Sequence, residues 1–217
     1  MEIIGQLQAV TKHYGLHVVL KNVNLTIERG EMYGLTGPSG VGKTTLLNLL
    51  GLLDAPDNGT VNLFGHPAPK PGSRAATHLR RTRLGYLFQN FALIDEATVE
   101  MNLEVAWAKK SVSAQSRRLQ KEEVLERVGL THQALRQHVY TLSGGEQQRV
   151  AVARLLLKPC DLILADEPTG SVDAANRTLI LTSLEELRQK GKTILIVTHD
   201  QMVANQCTHV VSLPLLS

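Results

Sequence analysis

A chain of 217 residues is long enough for one large domain, or for a domain carrying a sizeable insertion, with a real apolar core. Its 43% hydrophobic and 20% charged residues are ordinary for a soluble protein, and a formal net charge of +3 is too small to argue for a nucleic-acid partner. Only two cysteines, Cys160 and Cys207, occur, both in apolar surroundings; they read as reduced structural thiols and argue against a disulfide framework or a thiolate metal site.

The chain starts MEIIGQLQ, without the basic start and apolar block of a secretion signal, so the expectation is a cytoplasmic protein. No apolar run approaches the roughly 20 residues needed to cross a bilayer. Strand-forming segments come first: Ile3 to Val10, Val18 to Ile27, Glu31 to Thr36 and, after Asn58-Gly59, Thr60 to Phe64. Between the third and fourth lies GPSGVGKT, that is Gly37, Pro38, Ser39, Gly40, Val41, Gly42, Lys43 and Thr44, with Thr45 next. An apolar strand precedes this loop, and a helix carrying Leu46, Leu47, Leu49 and Leu50 begins near Lys43, which is the setting a phosphate-binding loop requires. The glycines let backbone N–H groups turn inward, the helix adds the positive end of its dipole, Lys43 supplies a full charge for β and γ phosphates, and Thr44 a hydroxyl for Mg²⁺. A chance glycine-rich turn is the competing reading, and the flanking strand and helix argue against it. The loop implies a nucleoside triphosphate.

His66 to Ser73, with three prolines and a glycine in PAPKPGS, reads as a surface loop, after which a strand is expected at Leu84 to Phe88. From Thr98 to about Leu157 charged and apolar residues interleave with helical spacing, in ATVEMNLEVAWAKK and in RRLQKEEVLERVGL, which predicts an α-helical insertion. Trp107 in that insertion fits core or partner surface better than a base-stacking platform. Ser143, followed three residues later by Glu146, forms a capping-box pattern ahead of the apolar run Val150 to Leu157, and Gly144 and Gly145 leave the helix start bare of side chains. Strands return at Leu162 to Ala165 and at Thr193 to Val197, separated by the amphipathic segment Ala174 to Lys190 with Gly191 placed to stop it, so a parallel β-α-β crossover follows. Asp166 and Glu167 leave the carboxyl end of the first of these strands, where open α/β sheets bind ligands. Asp166 suits a metal-holding role through water and Glu167 a general base for an attacking water; taken alone, the pair would be a solvated strand end with Pro168 and Gly170 forming a turn. No internal repeat or low-complexity tract interrupts the chain.

LSGGEQQR, lying between the phosphate loop and the Asp-Glu pair, resembles the signature motif of ABC transporter nucleotide-binding subunits, and the resemblance covers essentially the whole chain. It implies an α/β fold: a P-loop NTPase with a mainly parallel central sheet, an antiparallel β subdomain near the N-terminus and an α-helical insertion. Residues 1–217 would form a single ATPase domain, with 1–90 and 158–217 as a RecA-like core plus β subdomain and 91–157 as the α-helical subdomain. It implies ATP and Mg²⁺ as ligands, and Ser143, Gly144, Gly145 and Glu146 touching ATP bound to the phosphate loop of a second copy in a head-to-tail homodimer or pseudo-homodimer. Tyr14, in TKHYG, takes the place of the adenine-stacking aromatic, although plain packing also explains a tyrosine near a strand end. Gln89, in YLFQN, matches the glutamine that reaches Mg²⁺ and the attacking water, or else is an exposed polar residue at a strand end. Asp173, in GSVDAAN, matches a loop at the dimer interface, with Val172 where a leucine is usual; a helix N-cap explains Asp173 equally well. His199, in IVTHD, resembles the histidine that senses the γ-phosphate.

The resemblance further implies ATP hydrolysis coupled to a separate transmembrane permease, with the chain peripheral on the cytoplasmic side of the membrane and no nucleic-acid partner. Phe91-Ala92-Leu93-Ile94 is core by composition and, by resemblance, lies near the groove that receives a helix of the permease. VLKNVNLTIERGEMYGLTGPSGVGKTTLLNLLGLLDAPDNGTV is most similar to ATPases of the lipoprotein-release and macrolide-export type, including peptide and bacteriocin exporters. The chain stops soon after Val210-Val211, which argues weakly against the regulatory tail of some sugar importers. Alternatives are an importer ATPase, a non-transport ABC complex acting on DNA or ribosomes, and a nucleotide binder without turnover. No coiled-coil or zinc insertion or basic arm supports the second, and Glu167 with His199 argues against the third.

Overall fold

Two long strands, β1 (Ile3–Tyr14) and β2 (His17–Glu28), open the chain and pair antiparallel in a computed structural model that describes residues 2–107, 113–170 and 172–214. The end of the predicted AWAKK helical segment and Ser171 of GSVDAAN lie outside the described residues. Strict alternation would put Leu7 and Val10 on opposite faces, yet both are buried, because a bulge at Ala9 (φ 51°) inserts an extra residue and returns Val10 to the core side. Next come β3 (Met32–Thr36), α1 (Lys43–Leu50), β4 (Asn58–Leu63) and the two-residue β5 (His66–Pro67). The first sheet runs β2-β1-β4-β5, all antiparallel. The predicted loop from His66 therefore first adds a two-residue edge strand, where Pro67 needs no ladder N–H.

A helix the sequence did not announce follows, α2 (Arg74–Thr82), capped by Ser73 Oγ accepting from the Ala76 N–H at 3.1 Å. Then come β6 (Leu84–Leu87), α3 (Val99–Glu104), α4 (Ala114–Arg127), two short 3-10 turns, and α5 (Gly144–Leu157). The chain closes with β7 (Leu162–Asp166), α6 (Ala174–Gln189), β8 (Thr193–Val197), α7 (Gln201–Ala204) and β9 (His209–Ser212); neither α7 nor β9 was anticipated. The second sheet runs β6-β7-β8-β3-β9 with every pair parallel, and β7-α6-β8 is the expected crossover between neighbours.

Burial on both faces explains the near-continuous apolar runs of these strands. Leu162, Leu164, Leu195 and Val197 face one core, shared with the leucines of α1 and the inner face of the antiparallel sheet. Ile163, Ala165, Ile194 and Ile196 face the other, which they share with α3, α4, α5 and α6. Helix α1 is thus enclosed between the two sheets, and its amino terminus is held rigidly at the carboxyl edge of the parallel one. On the helical side, Phe91 and Leu93 pack partly buried against the second core while Ile94 is exposed. Arg154 of α5 fixes that turn by donating to the carbonyls of Phe91 and Ala92 at 2.8 and 2.7 Å. Trp107 is partly buried just beyond α3.

Candidate functional site

The carboxyl ends of β3, β7 and β8 lie side by side, and each passes directly into one of the sequence-predicted segments: Gly37 to Thr44, Asp166-Glu167 and His199. Ligands bind at such an edge because helix amino termini and loop N–H groups converge there. A cleft of about 500 Å³ opens at this edge, lined by Tyr14, Val19, Ser39, Gly40, Gly42 to Thr45, Gln89, Asp166, Glu167 and His199. A second cavity of about 560 Å³ lies among Glu100, Arg118, Glu122, His132 and Arg136, but Glu100 is engaged with Lys121 and Arg118 with Glu122, so the reactive groups gather in the first.

The loop's shape comes from its glycines and from β2. Gly42 caps α1 at φ 97°, and a Cβ there would meet the Val19 carbonyl oxygen at 2.8 Å and Leu20 Cδ2 at 2.7 Å. Gly40 also has positive φ (79°), but a Cβ on it would meet nothing within 4 Å, so this part of the loop faces open space. Lys43 is buried, and its Nζ donates to the carbonyls of Gly37 and Pro38, both at 2.8 Å, which holds the ammonium across the loop. Val41 and Thr45 are buried beneath it.

Thr44 Oγ1 donates to Asp166 Oδ1 at 3.3 Å, bringing a hydroxyl and a carboxylate together at the floor of the cleft. Burial raises the Asp166 carboxyl above its ordinary range and the neighbouring Glu167 adds to this, against the opposing pull of Thr44 and Lys43. A cation at this point would relieve that cost, so the donor set fits a hard ion such as Mg²⁺. Among the described residues no three His, Cys, Asp or Glu side chains gather to hold a metal.

Glu167 adopts φ 46°, a left-handed conformation unusual for a side chain of its size and one that concentrates at functional sites. Its N–H donates to the Val197 carbonyl at 3.0 Å and its carbonyl accepts from Gly170 at 3.1 Å, so the turn is fixed from both sides. His199 Nδ1 lies 2.9 Å from Glu167 Oε1, so the imidazole and the carboxyl group share a hydrogen bond. The imidazole is largely exposed while the carboxylate is mostly covered, so the pair bridges solvent and floor. Gln89 lies two residues past β6, exposed at the cleft's rim.

Ser143, Gly144, Gly145, Glu146 and Asp173 do not line this cleft. Ser143 and Glu146 form the predicted capping box: the Ser143 hydroxyl accepts from the Glu146 N–H at 3.3 Å, and Glu146 Oε2 accepts from the Ser143 N–H at 2.9 Å and from its hydroxyl at 2.7 Å. These bonds hold the Glu146 carboxyl below the usual carboxylate range. Asp173 caps α6, accepting from the Asn176 N–H at 2.8 Å. Sequence reasoning missed Asn176 itself, whose amide donates to Asp173 Oδ2 and accepts from Arg149 Nη1, both at 2.8 Å, joining the starts of α5 and α6. It also missed Gln148, buried in α5, whose amide donates to the Pro168 carbonyl beside Glu167. Only the i, i+3 spacing from Asp173 offered a signal for Asn176, and none existed for Gln148.

Residues 20–170 match the family model described as ABC transporter. Over 195 residues, 90% of its length, the chain is 40% identical to the macrolide export ATP-binding/permease protein MacB of Bartonella henselae and to that of Escherichia coli (strain K12). It spans 29% and 30% of the length of these relatives. Among solved structures it is similar to the dimeric structure of MJ0796, a bacterial ABC transporter cassette, with TM-score 0.88 and 37% identity over 97% of this chain and 94% of that one. A post-hydrolysis dimer of the same cassette bound to ADP and Pi gives TM-score 0.90 at 35% identity over 99% and 97%. Among the described residues no helix is long and apolar enough to cross a membrane.

Proposed function

This chain belongs to the ABC transporter family, and from that premise we propose that it is the ATP-hydrolysing cassette of an exporter of the macrolide-export type, converting ATP to ADP and phosphate. One observation carries the reading: Lys43, the Thr44–Asp166 pair and the Glu167–His199 pair converge in a single cleft at the edge of the parallel sheet. Lys43 and the glycine N–H groups of its loop neutralise the β and γ phosphates, which is most of what a loose phosphoryl transition state needs. Thr44, Gln89 and, through water, Asp166 would hold Mg²⁺, which when bound would supply positive charge to the phosphate oxygens. Glu167 takes the proton of the attacking water, and His199, bonded to it, fixes the carboxylate's direction and meets the γ-phosphate side.

Two copies of the chain, or this chain with a similar one, close head to tail. The bare N–H groups at Gly144 and Gly145 and the dipole of α5 then face a γ-phosphate held by the other copy, with Asp173 at the seam. That Ser143 to Glu146 lie away from their own cleft supports this arrangement. Residues 1–90 and 158–217 act as the RecA-like core with its β subdomain, and 91–157 as the helical subdomain that carries closure to a transmembrane permease encoded outside these 217 residues. The cassette would sit on the cytoplasmic face of the membrane, driving export or release of a lipid-linked, peptide or drug substrate. Comparing ATP turnover of the parent with Glu167→Gln tests the chemistry: a fall of about 10²- to 10⁴-fold is expected for loss of a general base, and equal rates would remove Glu167 from the mechanism.

A further inference from the structure

Tyr14 borders the nucleotide cleft with half its surface exposed, yet the tip of its ring is tied down. Its hydroxyl donates to Asp54 Oδ2 at 2.7 Å. The buried Lys12 ammonium, 5.3 Å from the Tyr14 ring centroid, donates to Asp54 Oδ1 at 2.7 Å and to the Ala55 carbonyl at 2.8 Å. Between them, the His13 N–H donates to Asp57 Oδ2 at 2.6 Å. Three consecutive residues at the end of β1 therefore each reach the segment 54–57, which follows the carboxyl end of α1. Burial pushes the Asp54 carboxyl up, and the bonds from Lys12 and Tyr14 outweigh that and leave it below the ordinary range, so the acid is ionised at neutral pH. Oδ1 also accepts from the Ala55 N–H at 2.7 Å, so both oxygens are engaged and neither is free to read a base.

We infer that Asp54 is a positioning residue for nucleotide binding: by holding the Tyr14 hydroxyl it sets the ring's angle at the cleft. Helix α1 then carries the phosphate loop at one end and the anchor of the aromatic just past the other, so triphosphate and nucleobase are gripped at a fixed separation. The inference rests on the reading of Tyr14 as the ring that stacks on the base.

The test is calorimetric titration, with Mg²⁺ present, of ATP and of base-free inorganic tripolyphosphate into the parent, Tyr14→Phe, Asp54→Ala, their double variant and Tyr14→Ala. Tyr14→Phe removes only one hydroxyl and Asp54→Ala the anchor, and each is expected to weaken ATP about 3- to 10-fold, the net worth of one typical hydrogen bond. If Asp54 acts through that hydroxyl, the double variant is no worse than the poorer single variant by more than about twofold, and tripolyphosphate affinity stays within about twofold throughout. In steady state the loss is expected in KM rather than kcat. Multiplying effects in the double variant, or an equal loss for tripolyphosphate, would overturn the inference and leave Asp54 as general support for α1. ATP affinity unchanged in Tyr14→Phe and Asp54→Ala but lost in Tyr14→Ala would overturn the positioning role alone, whereas no loss in Tyr14→Ala would overturn the stacking reading as well.

Discussion

Gly42→Ala is predicted to be more damaging than Gly40→Ala, a second methyl addition in the same phosphate loop, for reasons that comparing the two separates. Both positions have positive φ, 97° and 79°, where a Cβ costs about 1–2 kcal/mol. At Gly40 that is the whole cost, since the new atom meets nothing within 4 Å. At Gly42 it would also come within 2.9 Å of Val19 Cγ1, 2.8 Å of the Val19 carbonyl oxygen and 2.7 Å of Leu20 Cδ2. Leu20 is buried and the Val19 oxygen belongs to the backbone of β2, so neither yields easily, and overpacking adds about 1–3 kcal/mol. The totals are about 1–2 kcal/mol for Gly40→Ala and about 2–5 kcal/mol for Gly42→Ala. For a chain of this size each kcal/mol lowers Tm by about 2–4 °C, so the expected losses are about 2–8 °C and about 4–20 °C. Thermal unfolding followed by circular dichroism, without nucleotide, reads the difference directly. Equal melting temperatures, or a more harmful Gly40→Ala, would refute the view that β2 presses the loop into shape.

Asp166 makes a second prediction with a definite sign. Its folded-state pKa is raised, so its contribution to stability is full below the unfolded value of 3.8 and is lost as pH rises through the folded one; at neutral pH the charge destabilises the metal-free fold. Asp166→Asn is expected to raise Tm at pH 7 in chelator while abolishing Mg²⁺-dependent turnover, and a lowered Tm would contradict the dominance of burial. Asn176→Ala breaks the bonds to Asp173 and Arg149 and is expected to cost about 1–3 kcal/mol, seen as a lower urea midpoint with an unchanged slope. An unaltered midpoint would show that the two helix starts are not joined through this amide. Ser143→Ala removes the α5 cap and is expected to cost about 0.5–2 kcal/mol in the same assay, with a larger loss in ATP-driven association than in stability.

What could be read from the sequence was whatever is local. The phosphate loop, the capping box at Ser143 and the doubly buried strands β7 and β8 are each specified within about a dozen residues by spacing and side-chain type, and each forms where expected. Helix α2 was missed because its apolar face is minimal: Ala76 alone is buried, and Arg80 and Arg81 dominate its last turn. Strand β9 was missed because His209-Val-Val-Ser is short and sits at an edge, defined only by pairing with β3 some 170 residues earlier, as in the Thr208 hydroxyl's bonds with Met32. The same separation hid the functional scaffolding. Asp54 is 40 residues from the tyrosine it holds, and Gln148 is 20 from the carbonyl beside Glu167, so neither contact leaves any periodic trace. Reactive residues can be recognised by type, but the residues that aim them are recognisable only once the sheets have brought them together.

The claim that two copies enclose nucleotide between the Lys43 cleft of one and the Ser143 helix start of the other is tested most directly by light scattering of Glu167→Gln. Blocking turnover should trap the closed state, so at saturating ATP and Mg²⁺ the mass is expected to double from the 23.8 kDa of the single chain, and to return to it with Ser143→Arg added. A monomer under those conditions, or a dimer indifferent to ATP and to Ser143→Arg, would contradict the account.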